Sequence, residues 1–240
     1  MSHKFEAVLF DLDGTLLDTL DDMLAAANFC LEQHGLELLD AARAKSFIGQ
    51  GVDRFLASAV GPARQHLLSS VTAAYHRYQK SFGFERTRPY PGVEGLLQAL
   101  RERGVALAVV TNKLETPARA MLDEIFGEQA FRVIRGARAG VPLKPDPAPA
   151  FAVLEALRIS PRQSVVVGDT EIDVALAEAV GAPSIAVTWG FRDRAFLAST
   201  AATQIVDQIE ELRALLDGSA ALLRPPSSGI QSSVSERIRA

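Results

Sequence analysis

Two aspartates one residue apart, Asp11 and Asp13, close an apolar run that begins at Phe5, and glycine and threonine follow them directly. The run Ala7-Val-Leu-Phe10 has the length and composition of a buried strand. At about 4 Å and an effective dielectric near 20, two carboxylates repel by roughly 4 kcal/mol, so a folded chain holds such a pair only with a cation, a shared proton or ample water. The chemistry open to the pair is that of a nucleophile beside a proton carrier. The competing reading of Asp13-Gly14 is a surface hairpin turn, and the rest of the chain must decide between them.

Two further apolar runs end in a similar way. Val105-Ala-Leu-Ala-Val-Val110 meets Thr111-Asn112, and Ser164-Val-Val-Val167 meets Gly168-Asp169, with Asp173 four residues on. Helical patterns lie at about 93–103, 116–126, 147–157 and 171–180, and a short strand is expected over 184–187 after Gly181-Ala-Pro183. Strands and helices therefore alternate as they do around a parallel sheet. The expected fold class is α/β, a Rossmann-like parallel sheet with helices on both faces. In such a sheet the carboxyl ends of the strands share one edge where ligands bind, so Asp11, Thr111 and Asp169 should converge.

The stretch 19–86 differs in kind, with helical periodicity at 23–31, 52–60 and 67–82 and no strand signal. It reads as a helical insertion able to cover the site, and Arg88-Pro-Tyr-Pro-Gly92 punctuates the return. The expected division is a core of residues 1–18 and 87–216, a helical domain of 19–86, and a tail of 217–240. The tail, rich in serine, glycine and proline, has a composition that rarely packs and is expected to be mobile.

With 240 residues and 48% hydrophobic content, the chain can bury one sizeable core and a second small domain. The net charge of -4 is dispersed, so no basic stripe argues for nucleic acid. Cys30 is the only cysteine, which excludes an intramolecular disulfide and a thiolate metal cluster, and a core position is expected for it. No targeting segment or membrane-length apolar run is evident, so the expectation is a cytoplasmic protein without a membrane span, monomeric or homodimeric.

Taken in order, Asp11-Leu-Asp13-Gly-Thr, Thr111-Asn112, Lys144-Pro145 and Gly168-Asp-Thr-Glu-Ile-Asp173 resemble the four motifs of the haloacid dehalogenase-like hydrolases. Tyr90-Pro-Gly-Val93, Thr111-Asn-Lys113, Lys144-Pro-Asp-Pro147 and Val187-Thr-Trp-Gly190 are most similar to the phosphoglycolate phosphatase-like group with a helical cap. The resemblance implies that Asp11 attacks phosphorus to form an aspartyl-phosphate, while Asp13 protonates the leaving alkoxide and later activates water. It implies that Thr111, Asn112 and nearby backbone amides bind the phosphoryl oxygens and that Lys144 neutralises charge. Four carboxyls near a phosphate dianion exceed what one lysine can balance, and oxygen-only ligands favour Mg²⁺. By resemblance its ligands are Asp11, the carbonyl of Asp13 and Asp169, with Asp173 holding a metal-bound water or orienting Lys144. The alternative for Asp169 and Asp173 is charge complementing a helix N-terminus. Gly49 and Gly51 look like the cap loop that closes over substrate, and Arg54 is placed to hold a second anionic group. His3, His34, His66 and His76 are assigned no catalysis, and Trp189 and Phe191 are expected at the rim.

The expected activity is Mg²⁺-dependent hydrolysis of a small phosphorylated metabolite, with 2-phosphoglycolate leading. Sugar-phosphate hydrolysis and β-phosphoglucomutase-like phosphomutase activity are the alternatives that share every core motif. A phospho-Asp receiver domain is shorter, lacks the insertion and has no counterpart of Asp13, and a non-catalytic phosphate-binding protein would not need every charged group. Dehalogenases lack the second aspartate. Phosphonate cleavage would need a cap lysine near the Gly49 loop, and neither Lys45 nor Lys80 lies in it.

Overall fold

The computed structural model describes residues 5–220. The first strand, β1 (Ala7–Phe10), is buried along its whole length, and a tight loop carries the chain to β2 (Leu17–Asp18). Four helices follow: α1 (Leu20–Gln33), α2 (Ala41–Phe47), α3 (Val52–Val60) and, after a 3₁₀ turn at Pro62–Leu67, α4 (Leu68–Phe82). The chain returns through β3 (Arg88–Pro89). It then alternates α5 (Val93–Glu102), β4 (Ala106–Leu114), α6 (Glu115–Phe126), β5 (Val133–Ala137), α7 (Ala148–Leu157), β6 (Ser164–Gly168), α8 (Glu171–Val180) and β7 (Ser184–Val187). A short α9 (Arg194–Leu197), β8 (Gln204–Val206) and α10 (Ile209–Leu216) complete it.

The strands order β5-β4-β1-β6-β7-β8, all parallel. Renumbered within the sheet, this is 3-2-1-4-5-6, the doubly wound order, whose switch point falls beside β1. Alternate residues of each strand enter opposite layers, as a two-residue period demands. Val8, Phe10, Leu107, Val109, Val165 and Val167 pack with α5, α6 and α10, whereas Ala7, Leu9, Ala108, Val110 and Val166 pack with α7 and α8. Both faces are covered, which is why these strands read as continuous apolar runs.

The four helices between β2 and β3 bury a cluster of their own, including Ala27, Cys30, Leu31, Phe55, Leu56, Val71 and Tyr75, and Phe191 joins it from the sheet side. Cys30 is thus buried, as expected. The two crossings into and out of this segment pair antiparallel, Leu17 opposite Pro89 and Asp18 opposite Arg88. Asp22, in the first turn of α1, accepts hydrogen bonds from the Thr87 amide and hydroxyl, both at 2.7 Å, and from the Arg86 amide.

The structure departs from the sequence reading in three places. β4 runs through Thr111 and Asn112 to Leu114, with a register irregularity after Val110, so these residues lie within the strand rather than beyond its end. Asp217 to Ala220, expected in the tail, continue to pack: the Asp217 amide donates to Arg213, the Ala220 amide to Ala214, and Ala220 rests against the core. The rest of the expected tail, like His3, lies outside the described residues. The strand β5, the edge strand β8 and the helices α2, α9 and α10 were not anticipated. Among the described residues, no helix is long and apolar enough to cross a membrane.

Candidate active site

Asp11 follows β1 at the switch point, its amide donating to the Val167 carbonyl of β6. The next residues curl tightly: the Leu12 carbonyl accepts from the Leu16 and Leu17 amides, both at 3.1 Å, and Gly14 turns with φ +86°. Asp169 and Asp173 arrive from β6 and the start of α8. Lys144 comes from the loop before α7.

These groups converge. Carboxylate oxygens of Asp11, Asp169 and Asp173 all lie within 4.8 Å of one another. Lys144 Nζ stands 2.7 Å from Asp173 Oδ1 and 2.8 Å from Asp11 Oδ1, and its side chain is only 2% exposed. The approach to Asp11 is a charge contact that leaves Oδ1 without a well-directed hydrogen bond. Asp169 is wholly buried, its Oδ1 accepting from the Thr15 hydroxyl at 2.9 Å and its Oδ2 from the Phe191 amide at 2.8 Å. Close packing of backbone makes room for it. A Cβ on Gly14 or on Gly190 would come within 2.4 Å of Asp169 Oδ2.

Asp173 makes contacts of two kinds. Its Oδ2 accepts from the Thr170 amide and hydroxyl, closing the N-terminus of α8, while Oδ1 holds Lys144. Asn112 organises the same lysine through its backbone, accepting from the Lys144 amide at 2.8 Å and donating to its carbonyl at 3.0 Å. The Asn112 amide also donates to the Gly49 carbonyl at 2.9 Å, a direct tie from sheet to helical segment.

Burial governs the charges. It pushes the Asp11 carboxyl up to about 6 against the pull of Lys144, with Asp173 and Asp13 adding to the rise. It lifts Asp169 well above the usual carboxylate range, helped by Asp11 and Asp173 and opposed by the Phe191 amide and Thr15 hydroxyl. Burial would depress the Lys144 ammonium, but Asp11 and Asp173 together raise it above the ordinary lysine value. Three clustered carboxyls, all-oxygen donors, one shared lysine and a poorly partnered Asp11 oxygen fit a divalent cation. Asp11 and Asp169 are the side chains best placed to hold it.

Above this cluster lies a cavity of about 50 Å³ lined from the sheet side by Asp11, Asp13, Thr111, Asn112 and Lys113, and from the helical segment by Ile48, Gly49, Gly51, Val52, Phe55 and Tyr75. The expected site residues are therefore brought together with one exception. Arg54 is exposed, donates to Gln50 Oε1 at 3.0 Å and faces a separate groove beside Pro62 and Gln65. His34 is spent on the Cys30 carbonyl, and among the described residues no histidine lines the cavity. Trp189 props the Asp13 loop by donating to the Thr15 carbonyl at 3.1 Å, and Phe191 lines the cavity.

The sequence reading quotes Lys113 only within the Thr111-Asn-Lys113 mark, assigns it no contact, and passes over Arg192. Lys113 pairs with Asp13, its Nζ 3.0 Å from Oδ1 and 3.3 Å from Oδ2. Arg192 ties the sheet side to the helical segment, donating to the carbonyls of Lys45 at 2.8 Å and Ile48 at 3.0 Å while Glu171 pairs with it at 2.9 Å. Each contact joins residues far apart in the chain, and the sole local signal was the position of Lys113 directly after Thr111-Asn112.

The model of the haloacid dehalogenase-like hydrolases matches residues 8–187. A phosphoglycolate phosphatase of Neisseria meningitidis is 35% identical over 204 residues, covering 83% of this chain and 87% of its own length. A second phosphoglycolate phosphatase, from Xanthomonas campestris, is 36% identical over 190 residues, covering 78% and 84%. A crystal structure from Lactobacillus delbrueckii subsp. bulgaricus superposes with a TM-score of 0.83 at 32% identity, covering 90% of this chain and 99% of that one. A haloacid dehalogenase-like family protein of Streptococcus pneumoniae gives 0.78 at 25% identity, covering 88% and 98%.

Proposed function

We propose that this chain, which belongs to the haloacid dehalogenase-like hydrolase family and is a phosphoric monoester hydrolase, hydrolyses 2-phosphoglycolate through an aspartyl-phosphate. The observation that carries the reading is the position of Asp11. It stands at the switch point of the sheet, in contact with one buried lysine, on the floor of a small cavity.

An Asp11 oxygen forms a bond to phosphorus as the bond from phosphorus to the glycolate oxygen breaks. Asp13, which must first leave Lys113 and take up a proton from solvent, gives that proton to the departing alkoxide. In the second half Asp13 takes a proton from water, whose oxygen attacks phosphorus and releases inorganic phosphate, restoring the Asp11 carboxylate. Lys144, held by Asp173, stands against the charge that grows on the phosphoryl oxygens, and Thr111 with the nearby amides orients them. Mg²⁺, held by Asp11, Asp169 and the Asp13 carbonyl, would supply neutralisation of the phosphate charge. Lys144 already answers to two carboxylates, which supports the need for a second positive charge.

Residues 19–86 act as a cap over a core made of 1–18 and 87–216. The separate buried cluster of the helices supports this, as does their supply of one whole side of the cavity. The substrate reading draws on the names of the curated relatives.

The test is phosphate release by wild type and Asp11→Asn, with Mg²⁺ and with chelator, across phosphoglycolate, hexose phosphates, nucleotides and pyrophosphate. Metal-dependent release by wild type alone, fastest on phosphoglycolate, is expected. A hexose phosphate turned over faster would replace the substrate, and turnover by Asp11→Asn would remove the nucleophile.

A further inference from the structure

Among the described residues lining the cavity, Lys113 is the single basic side chain. Lys144 lies beneath, engaged by Asp11 and Asp173. The helical segment offers Met23, Ile48, Val52, Phe55 and Tyr75, whose surfaces are apolar apart from the Tyr75 hydroxyl, which accepts from Gln79 at 3.2 Å. Arg54, placed by its sequence position as an anion ligand, faces elsewhere. Any second negative charge on a substrate that enters this cavity therefore has one cation to meet.

That cation is already paired, and its partner has other work. The Lys113 and Asp13 side chains are 8% and 13% exposed, a nearly buried ion pair. The reaction requires Asp13 to address the leaving oxygen of the substrate rather than an ammonium. Separating a buried pair is costly when it strands one charge without a partner. A substrate that brings its own anion removes that cost, because its carboxylate can take the place of Asp13 beside Lys113.

We propose that Lys113 is the recognition residue for a second anionic group on the substrate, and that this group displaces Asp13 from Lys113 as the substrate binds. The class selected is the short phosphomonoester bearing a carboxylate close to the ester oxygen. The inference deepens the phosphohydrolase reading and rests on it. It makes the site self-locked: the acid/base carboxyl is withheld by Lys113 until a ligand with the correct second charge arrives. Selectivity then stems from charge exchange inside the sheet edge, and the cap contributes shape.

The full chain with Mg²⁺ supplies the test, using phosphoglycolate and 2-hydroxyethyl phosphate, its counterpart without the carboxylate. The readout is the ratio of kcat/KM for the two. In Lys113→Met the ratio should fall by about 100-fold, chiefly through a higher KM for phosphoglycolate, and Lys113→Arg should retain most of it. The same ratio of affinities, measured by calorimetry in Asp11→Asn and in Asp11→Asn with Lys113→Met, isolates binding from chemistry. An unchanged ratio in both measurements would overturn the proposal, leaving Lys113 as a partner of Asp13 only. If wild type releases no phosphate from either ester, the hydrolase reading fails, while the calorimetric ratio still decides the role of Lys113.

Discussion

The ammonium of Lys144 stands 2.7 Å from Asp173 Oδ1, and the other oxygen of the same carboxylate closes the N-terminus of α8 through Thr170. One side chain thus fixes a helix and aims a lysine. Asp173→Asn keeps the shape but weakens the charge-assisted contact. It should lower kcat by about 100-fold with a loss of stability near 1 kcal/mol. Lys144→Met strands two buried carboxylates and should cost about 3–5 kcal/mol in the metal-free protein. Steady-state kinetics beside denaturant unfolding of both variants checks the pair.

The metal-free protein should lose stability as pH rises. The folded Asp11 carboxyl is raised from 3.8 to about 6, so its contribution is fully present below about pH 4 and is lost as pH passes through about 6. The change is on the order of 3 kcal/mol, or about 6–12 °C in Tm. Asp169, raised in the same direction, adds to the slope. Thermal unfolding in chelator from pH 4.5 to 7.5 should show Asp11→Asn overtaking wild type toward the alkaline end. Parallel curves for the two proteins would contradict the origin assigned to the slope.

Much of this was written along the chain and some was not. β1, β7, α3 and α8 fall where composition and periodicity place them, because each carries a full buried face. β5 and β8 are short outer strands, the first half-buried at alternate positions and carrying Gly136, the second of three residues, so neither has the apolar run that betrays a central strand. Asp11, Asp13, Asp169 and Asp173 announced themselves as carboxylates at the ends of core runs. Lys113 and Arg192 did not, since their meaning lies in partners that only folding brings near, Asp13 for one and the carbonyls of Lys45 and Ile48 for the other. Arg54 shows the reverse failure: a plausible position in a loop says nothing of which way the side chain leaves it.

Gly190→Ala tests the packing around Asp169. The added methyl carbon would lie 2.3 Å from the Gly14 carbonyl and 2.4 Å from Asp169 Oδ2, with rigid backbone on one side. Asp169 must move, so Mg²⁺ should no longer raise Tm at concentrations that stabilise wild type, and activity should fall by at least about 100-fold. Melting curves against Mg²⁺ concentration read the first effect directly.

Arg192→Ala removes two hydrogen bonds to the carbonyls of Lys45 and Ile48 and leaves Glu171 without its partner. Amide exchange over residues 45–51 should accelerate by about tenfold or more, with the sheet strands little changed. Hydrogen exchange followed by mass spectrometry resolves this, and uniform acceleration throughout the chain would point to general destabilisation instead.

The two-residue pairing of Leu17–Asp18 with Arg88–Pro89, bolted by Asp22 to Thr87, has a mechanical consequence. Both covalent crossings of the helical segment lie in this one ribbon, and Asn112 and Arg192 tie the segment to the sheet side at separate points. The same loop that presents Asp11 and Asp13 leads straight into the ribbon. The covalent path from the helical segment back to Asp11 and Asp13 is therefore short, and it runs through the ribbon.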